Sequence, residues 1–509
     1  MSTTLFDARD APDQVVARIR DAGPPAWERL DEETRMLGVR KLRLAGVYDD
    51  RQEGYFMLRT RIPGGRASAD QLEVVAGVVR DFSVRPDGGD GPDRFAEITT
   101  RQDLQIHWIR FESLPEIWRR YDAVGLTSSQ ACGDTLRNVT ACAVSGLDPR
   151  SLIDTAPVVA SLGALTAEEQ ELTAFLPRKF KVVVTGCPTD CVVARINDLA
   201  FTPARREGVI GFNVHAGGGL SDSPRLASAL DLFAEPERVR DVVRATLRLY
   251  SDRGDHSNKA VNRFRVLVHE LGPETVTDEI RARLPFDAPG AGEDLSEWRP
   301  EDHLGVHPDA SGRHYVGLCV PLGRLTNEDL AEAARLARTH GDGGIRFTQR
   351  QNLVLAGVGD VDALLAEPFT GRFRPDPDPF ERGVVACTSA PFCKFGILNV
   401  KAYGAELIEH LRTTVPHSRW DELAGIRIHI SGCKASCAQV QAAHVGFRVT
   451  MGKDDSGYED AFDVALGGDP GRGSLAGWTA LEVPVAEAFA HATEWLTDRT
   501  TITAETEGD

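Results

Sequence analysis

The stretch Val184–Phe201, VTGCPTDCVVARINDLAF, has a partner in Ile430–Phe447, ISGCKASCAQVQAAHVGF, and this pair decides the fold. Each is a strand-forming run that ends in Gly-Cys, meets a second cysteine after three residues, and returns to apolar residues. Two further blocks repeat in the same order. GYFMLRTRIPGGRASADQL from Gly54 matches HYVGLCVPLGRLTNEDL from His314, and TTRQDLQI, with Arg101, matches TQRQNLVL, with Arg350. Three matched blocks at an offset near half the length describe a duplication. The period is far too long for a solenoid, so it predicts two related α/β units packed about a pseudo-twofold axis.

Within each unit the pattern mixes strand and helix. RFAEITTRQDLQIHWI alternates like a strand, and LPEIWRRYDAVGL reads as an amphipathic helix. FKVVVTGC and IRIHISGC place each cysteine pair at a strand-to-loop edge. EDLAEAARLARTHG has helical periodicity with a glycine stop. The Pro-, Gly- and acid-rich stretch from Phe286 reads as the inter-repeat linker, and the tail Thr500–Asp509 as frayed. The fold class expected is α/β with mixed (α+β) sheets, internally duplicated.

At 509 residues the chain exceeds one core, so two to four domains are expected. Its 42% hydrophobic and 26% charged residues are ordinary for a soluble globular protein. No stretch approaches the roughly 20 apolar residues of a membrane helix. The start, MSTTLFDARDAPDQ, lacks a basic region followed by an apolar one, so cytoplasmic localisation is expected. Acidic residues outnumber basic ones by 76 to 58, for a net charge of −18, which argues against nucleic acid as a partner. A local basic pocket for a small anion remains compatible with that balance.

Eight of the nine cysteines fall into close pairs, which in a cytosolic chain suggests metal binding or catalysis. Cys387 and Cys393 are spaced C-x5-C, and Cys433 and Cys437 C-x3-C. Four thiolates from two short loops suit a cubane iron–sulfur cluster. Structural zinc prefers shorter spacing on both arms, so C-x5-C weakens that alternative. Cys132, Cys142, Cys187 and Cys191 mirror the set, which makes a second cluster the alternative, but Cys132 to Cys142 is C-x9-C, and these four read as a relic of duplication. Cys319 reads as an apolar strand residue. His107 and His215 lack metal-ligand spacing and read as structural or pocket-lining.

With these motifs, and with LPRKFK and TTRQ-x-x-Q-x-H in the first half, nearly the whole chain resembles the sirohaem-dependent sulfite and nitrite reductases. The family usually reads GCPN-x-CG where this chain has GCKASCA, with Lys434 and Ala435 in place of Pro-Asn. The resemblance implies a three-domain arrangement. An N-terminal segment and first ferredoxin-like half-domain would span 1–130, and a sirohaem and substrate domain with linker 131–300. A second ferredoxin-like half-domain would span 301–380, and the cluster domain 381–509. It further implies one [4Fe-4S] cluster on Cys387, Cys393, Cys433 and Cys437, with Cys437 also touching the sirohaem iron.

Four cations, Arg59, Arg137, Lys179 and Lys181, would face a small oxyanion substrate, and Arg101, Gln105 and Arg178 would hold sirohaem carboxylates. Taken singly, each arginine also reads as a surface ion pair; their matched order favours the pocket. Tyr48 and Cys132 fall where a ferredoxin-dependent sulfite reductase subgroup has a linked tyrosine and cysteine; the plainer reading is a buried tyrosine and an unlinked thiol. Plant-type nitrite reductases resemble LPRKWN where this chain has Lys181, and a second lysine suits the sulfite dianion. The expected activity is therefore reduction of sulfite to sulfide. Ferredoxin is the expected donor, because no G-x-G-x-x-G follows a strand and opens a helix. Reduction of nitrite to ammonia is the alternative. An oxidative tetrapyrrole-biosynthesis enzyme and a non-catalytic haem or cluster carrier are more remote, since neither needs all four cations together.

Overall fold

The computed structural model describes residues 5–87, 94–299, 301–454 and 457–498; the tail Thr500–Asp509 lies outside them. The duplication is visible as two pairs of sheets. In the first half, strands Val47–Asp49, Tyr55–Thr60, Leu104–Arg110 and Phe95–Ile98 lie side by side, with Arg324–Thr326 at the edge. In the second, Gly305–Pro308, His314–Leu318, Leu353–Val358 and Gly344–Phe347 take the same order, with Arg66–Ser68 at the edge. Each half thus lends one short strand to the other's sheet. The exchange welds the halves around one shared core, which runs from Phe6 to Phe373.

After each borrowed strand a helix begins. Ala69–Phe82 opens with a capping box of Ser68 and Gln71, and Asn327–His340 with one of Thr326 and Asp329. Their buried faces carry Leu72, Val75 and Val79 in one and Leu330, Ala333 and Ala337 in the other, at helical spacing. Arg338 reaches across to Asp70 and Glu73, at 2.6 Å each.

The other two sheets hold the cysteine loops. Thr140–Ala141, Val182–Val184 and Leu199–Arg206 run parallel, then Val209–Ala216 and Ser228–Ala234 turn back antiparallel. Val384–Ala386, Ile428–Ser431 and Val445–Asp454 repeat the parallel part, with Gly457–Leu466 and Gly477–Pro484 antiparallel beyond. Short all-apolar strands such as VVV at Val182–Val184 suit a parallel sheet buried on both faces. Even unusual backbone recurs: Gln102 and Gln351 both have φ 63°, and Val193 and Gln439 have φ 48° and 63°. Among the described residues no helix is long and apolar enough to cross a membrane.

Candidate functional site

The first half supplies a wall of cations. Strand Tyr55–Thr60 pairs with Leu104–Arg110 so that Arg59 stands opposite Gln105. The Arg59 guanidinium donates to Gln105 Oε1 at 3.2 and 2.6 Å and to the Ala131 carbonyl at 3.0 Å, and it meets Cys132 Sγ at 3.4 Å. Arg137 Nε donates to the same Ala131 carbonyl at 3.0 Å. One carbonyl therefore gathers both planar forks. A bridge between Leu136 and Phe180 keeps the backbone extended beside them, so Lys179 and Lys181, two residues apart, share a face.

Burial, helped by Arg263 and opposed by the charge of Cys437, lowers the Lys179 ammonium to about 8. Burial, then Arg101 and Lys179, push Lys181 well below its ordinary value. Arg101 donates to Asn197 Oδ1 at 3.0 Å and to the Asn138 carbonyl at 2.5 Å, while its buried Nε has no partner. Burial first, then Arg137, bring it down to about 10. Arg178 turns the other way and pairs with Asp134 at 2.7 Å, at a half-exposed rim. The Tyr48 hydroxyl accepts from the N–H of Gly133, next to Cys132, at 3.4 Å. Burial pushes the Cys132 thiol up, against the pull of Arg59 and Arg137.

The second half supplies the thiols. Cys387 and Cys433 follow neighbouring parallel strands, so their loops leave the same edge of the sheet. Cys387 Sγ accepts the Gly432 N–H at 3.2 Å. A Cβ at Gly432 or Gly396 would lie 2.0 or 2.3 Å from Ser389 Oγ, so the two loops close only with glycine at both places. Burial first, then the charge of Cys437, raise the Cys387 thiol well above its ordinary value. Cys437 is exposed toward the cation wall, and Thr100 of the TTRQ motif donates to its carbonyl at 2.8 Å. The unusual Lys434 points away, to Asp222 at 3.7 Å on the surface.

A hydrogen-bonded chain couples the halves: Gln105 Nε2 donates to Thr388 Oγ1 at 2.9 Å, and Thr388 donates to Glu97. Although burial opposes its charge, Lys401, Arg324 and His107 hold the Glu97 carboxyl down to about 2. Glu97 and Thr388 escaped the motif reading because neither carries a recognisable spacing. His107 sits 3.1 Å from Asp50, and His215 sits 3.1 Å from Thr202, so both have structural partners.

These residues fit the group the motifs imply. Arg59, Arg61, Arg101, Arg137, Lys179, Lys181 and Arg263 surround two buried carboxylates, Asp103 and Asp198. That surplus, with the orphaned Nε of Arg101, suits a polycarboxylate ring and an oxyanion. The four thiols at the sheet edge suit a cluster beside it.

Residues 48–124 and 306–368 match the family described as the nitrite/sulfite reductase ferredoxin-like half domain. Residues 132–287 match the nitrite and sulphite reductase 4Fe-4S domain. The assimilatory ferredoxin-dependent nitrite reductase of Haloferax mediterranei is 38% identical, over 94% of this chain and 87% of its own length. The chain belongs to the nitrite and sulfite reductase family. The ferredoxin–nitrite reductase of Synechococcus elongatus is 37% identical over 89% of this chain and 88% of its own. The chloroplastic one of Arabidopsis thaliana is 36% identical over 90% and 79%. The solved structure of the Mycobacterium tuberculosis NirA protein matches with a TM-score of 0.84 and 27% identity, covering 98% of this chain and 93% of that one. The family's cofactors are sirohaem and a [4Fe-4S] cluster, and the half-domain matching twice bears out the duplication.

Two expectations need correction. The sulfite assignment is overturned by these nitrite-reductase relatives. It rested on an extra positive charge at Lys181, and burial weakens that charge. The pairing of Cys132–Cys142 with Cys387–Cys393 is also wrong. Ala141 pairs with Val184 and Ala386 with Ile430, so Cys142 is the counterpart of Cys387, while Cys132 belongs to the cation wall.

Proposed function

We propose that the chain reduces nitrite to ammonium, with ferredoxin as the electron donor. Identity of 36–38% along most of the chain to proteins named ferredoxin-dependent nitrite reductases carries this reading. The conversion takes up six electrons and eight protons and releases two waters. When bound, sirohaem would supply the iron that takes the oxyanion, and the cluster beside it would supply electrons one at a time.

The protein's own groups do the rest. Arg59 and Arg137, converging on one carbonyl, hold the oxyanion by fixed planar donors. Lys179, near 8, is charged at neutral pH and ready to give up a proton as each oxygen leaves as water. Lys181, whose charged form burial also disfavours, stands on the same face and is placed to resupply Lys179 with protons. Arg101 and Gln105 would hold ring carboxylates, while Arg178 stands at the rim on Asp134. Tyr48 and Cys132 form the wall behind Arg59. Cys387, Cys393, Cys433 and Cys437 would hold the cluster. Phe395, 75% exposed, and Ile397 stand beside Cys393 and offer the donor protein an apolar contact close to the cluster.

Steady-state rates with nitrite and with sulfite, using reduced ferredoxin, test this directly. The expected result is the larger kcat/KM for nitrite. A larger value for sulfite overturns the assignment.

A further inference from the structure

Away from the cation wall, the first repeat gathers a second set of metal-binding side chains. Cys142, Cys187 and Cys191 stand at the structural places of Cys387, Cys433 and Cys437. The fourth cluster cysteine, Cys393, has no counterpart among them. Instead His303 arrives from the linker, with its Nε2 3.7 Å from Cys142 Sγ. Cys187 Sγ lies 3.3 Å from Cys142 Sγ. The donor atoms of Cys142, Cys191 and His303 all lie within 4.8 Å of one another, the one such group of three or more among the described residues. All four side chains are buried.

Geometry distinguishes what such a set can hold. A tetrahedral ion with Zn–S of about 2.3 Å and Zn–N of about 2.0 Å places its donors about 3.5–3.8 Å apart. A cubane binds each cysteine through a different iron and spreads the sulfurs further. Cys142, Cys191 and His303 lie close enough together for one ion, and Cys187, beside Cys142 but outside that group of three, is the nearest further donor. We infer that the first repeat binds a single zinc-type divalent ion through Cys142, Cys191 and His303, with Cys187 beside Cys142 moving in to close the shell, a structural site distinct from the cluster.

The surroundings explain why this half became a one-ion site. In the strand ladders Arg59 faces Gln105 and Gly317 faces Val354, the matching residue of the second half. A Cβ at Gly317 would lie 1.9 Å from the His303 carbonyl, so losing the cation let the linker in. His303 takes a left-handed φ of 62°, a conformation most side chains avoid, and this turns its ring onto Cys142. Arg350, the counterpart of Arg101, faces Asp302 at 3.6 Å instead of an open pocket. The cavity left between Cys191, His303 and Thr348 is about 10 Å³, room for one water and no macrocycle. Ser151 Oγ, 3.2 Å from Cys187 Sγ, steadies a thiolate from outside the ligand set. The ion would pin the linker ahead of strand Gly305–Pro308 to the parallel sheet of the first repeat.

The test uses holoprotein purified anaerobically from zinc-supplied cells. Elemental analysis should find about one zinc per chain beyond the cofactor iron, resistant to mild chelation. Zinc-edge X-ray absorption should show about three sulfurs near 2.3 Å and one nitrogen near 2.0 Å. Cys142→Ser and His303→Ala should each cut zinc at least about five-fold while the cluster and sirohaem absorption persist. Zinc below about a tenth per chain in the wild-type holoprotein, or an oxygen-only shell, overturns the site. So does a Cys142–Cys187 disulfide found by mass spectrometry, or zinc retained in both folded variants. The wild-type absorption spectrum decides the matter even if the variants fail to fold. The substrate assignment stands or falls separately.

Discussion

Cys433 and Cys437 in the second repeat and Cys187 and Cys191 in the first leave equivalent strands through equivalent turns, yet they meet different surroundings. The second-repeat pair stands at an exposed edge facing Thr100, Arg59 and Lys179 of the other half. The first-repeat pair is covered by the linker and faces Arg350, which Asp302 already neutralises. A loop's chemistry is therefore set less by its own residues than by what the opposite half presents to it. Arg59 against Gly317 is the sharpest single contrast: one keeps a cation over the site, and the other leaves room for backbone.

The largest effect should come from Cys437→Ser. Nitrite reduction should fall at least about 10³-fold, and cluster iron should drop with it. Activity near wild type would remove Cys437 from its special place in the comparison. Arg59→Gly makes the first half imitate the second. Its kcat/KM for nitrite should fall about 10²–10³-fold with far-UV circular dichroism unchanged. A loss under about three-fold would mean that the Arg59–Gly317 contrast does not decide function.

Glu97 tests how the halves are joined, because it binds Arg324 at 2.9 Å and lies 3.8 Å from Lys401, both from the second half. Glu97→Gln should cost about 3 kcal/mol in urea unfolding, since two cations lose their shared acceptor. Its folded value of about 2 lies below the ordinary 4.5. The stability it contributes is therefore full above about pH 4.5 and lost as pH falls toward about 2. The variant should lack that part of the acid slope; an unchanged slope would assign acid sensitivity elsewhere.

Leu322→Gly is the mildest probe. Leu322 has φ 55° where the first half has Gly64 at 61°. Relief of about 1–2 kcal/mol of left-handed strain should be nearly offset by lost packing over Gly404. The net shift should stay within about 1 kcal/mol, and a larger destabilisation would show that packing, not backbone, fixes that turn.

Much of the site was legible in the chain. The repeated Gly-Cys turns, the C-x5-C pair and LPRKFK each lie within a few residues, where spacing translates directly into local geometry. The Cys142 register was misread because spacing counts along the chain, while strand ladders decide which cysteine occupies which place. His303 carried no signal, since nothing near it in sequence repeats or binds. Lys181 misled because its residue type is fixed but its charge depends on burial.

By itself the sequence determined that the protein is a duplication, that one half keeps the cations, and that the other keeps a complete cysteine quartet. Periodicity, glycine turns and short motifs act over a few residues and need no partner to be read. Only the tertiary structure decided that Arg66–Ser68 and Arg324–Thr326 change places, that Cys437 faces the first-half cations, and that His303 joins Cys142. Those outcomes depend on which distant surfaces exclude water together. Desolvation and contact across hundreds of residues are properties of the packed molecule, not of any stretch within it.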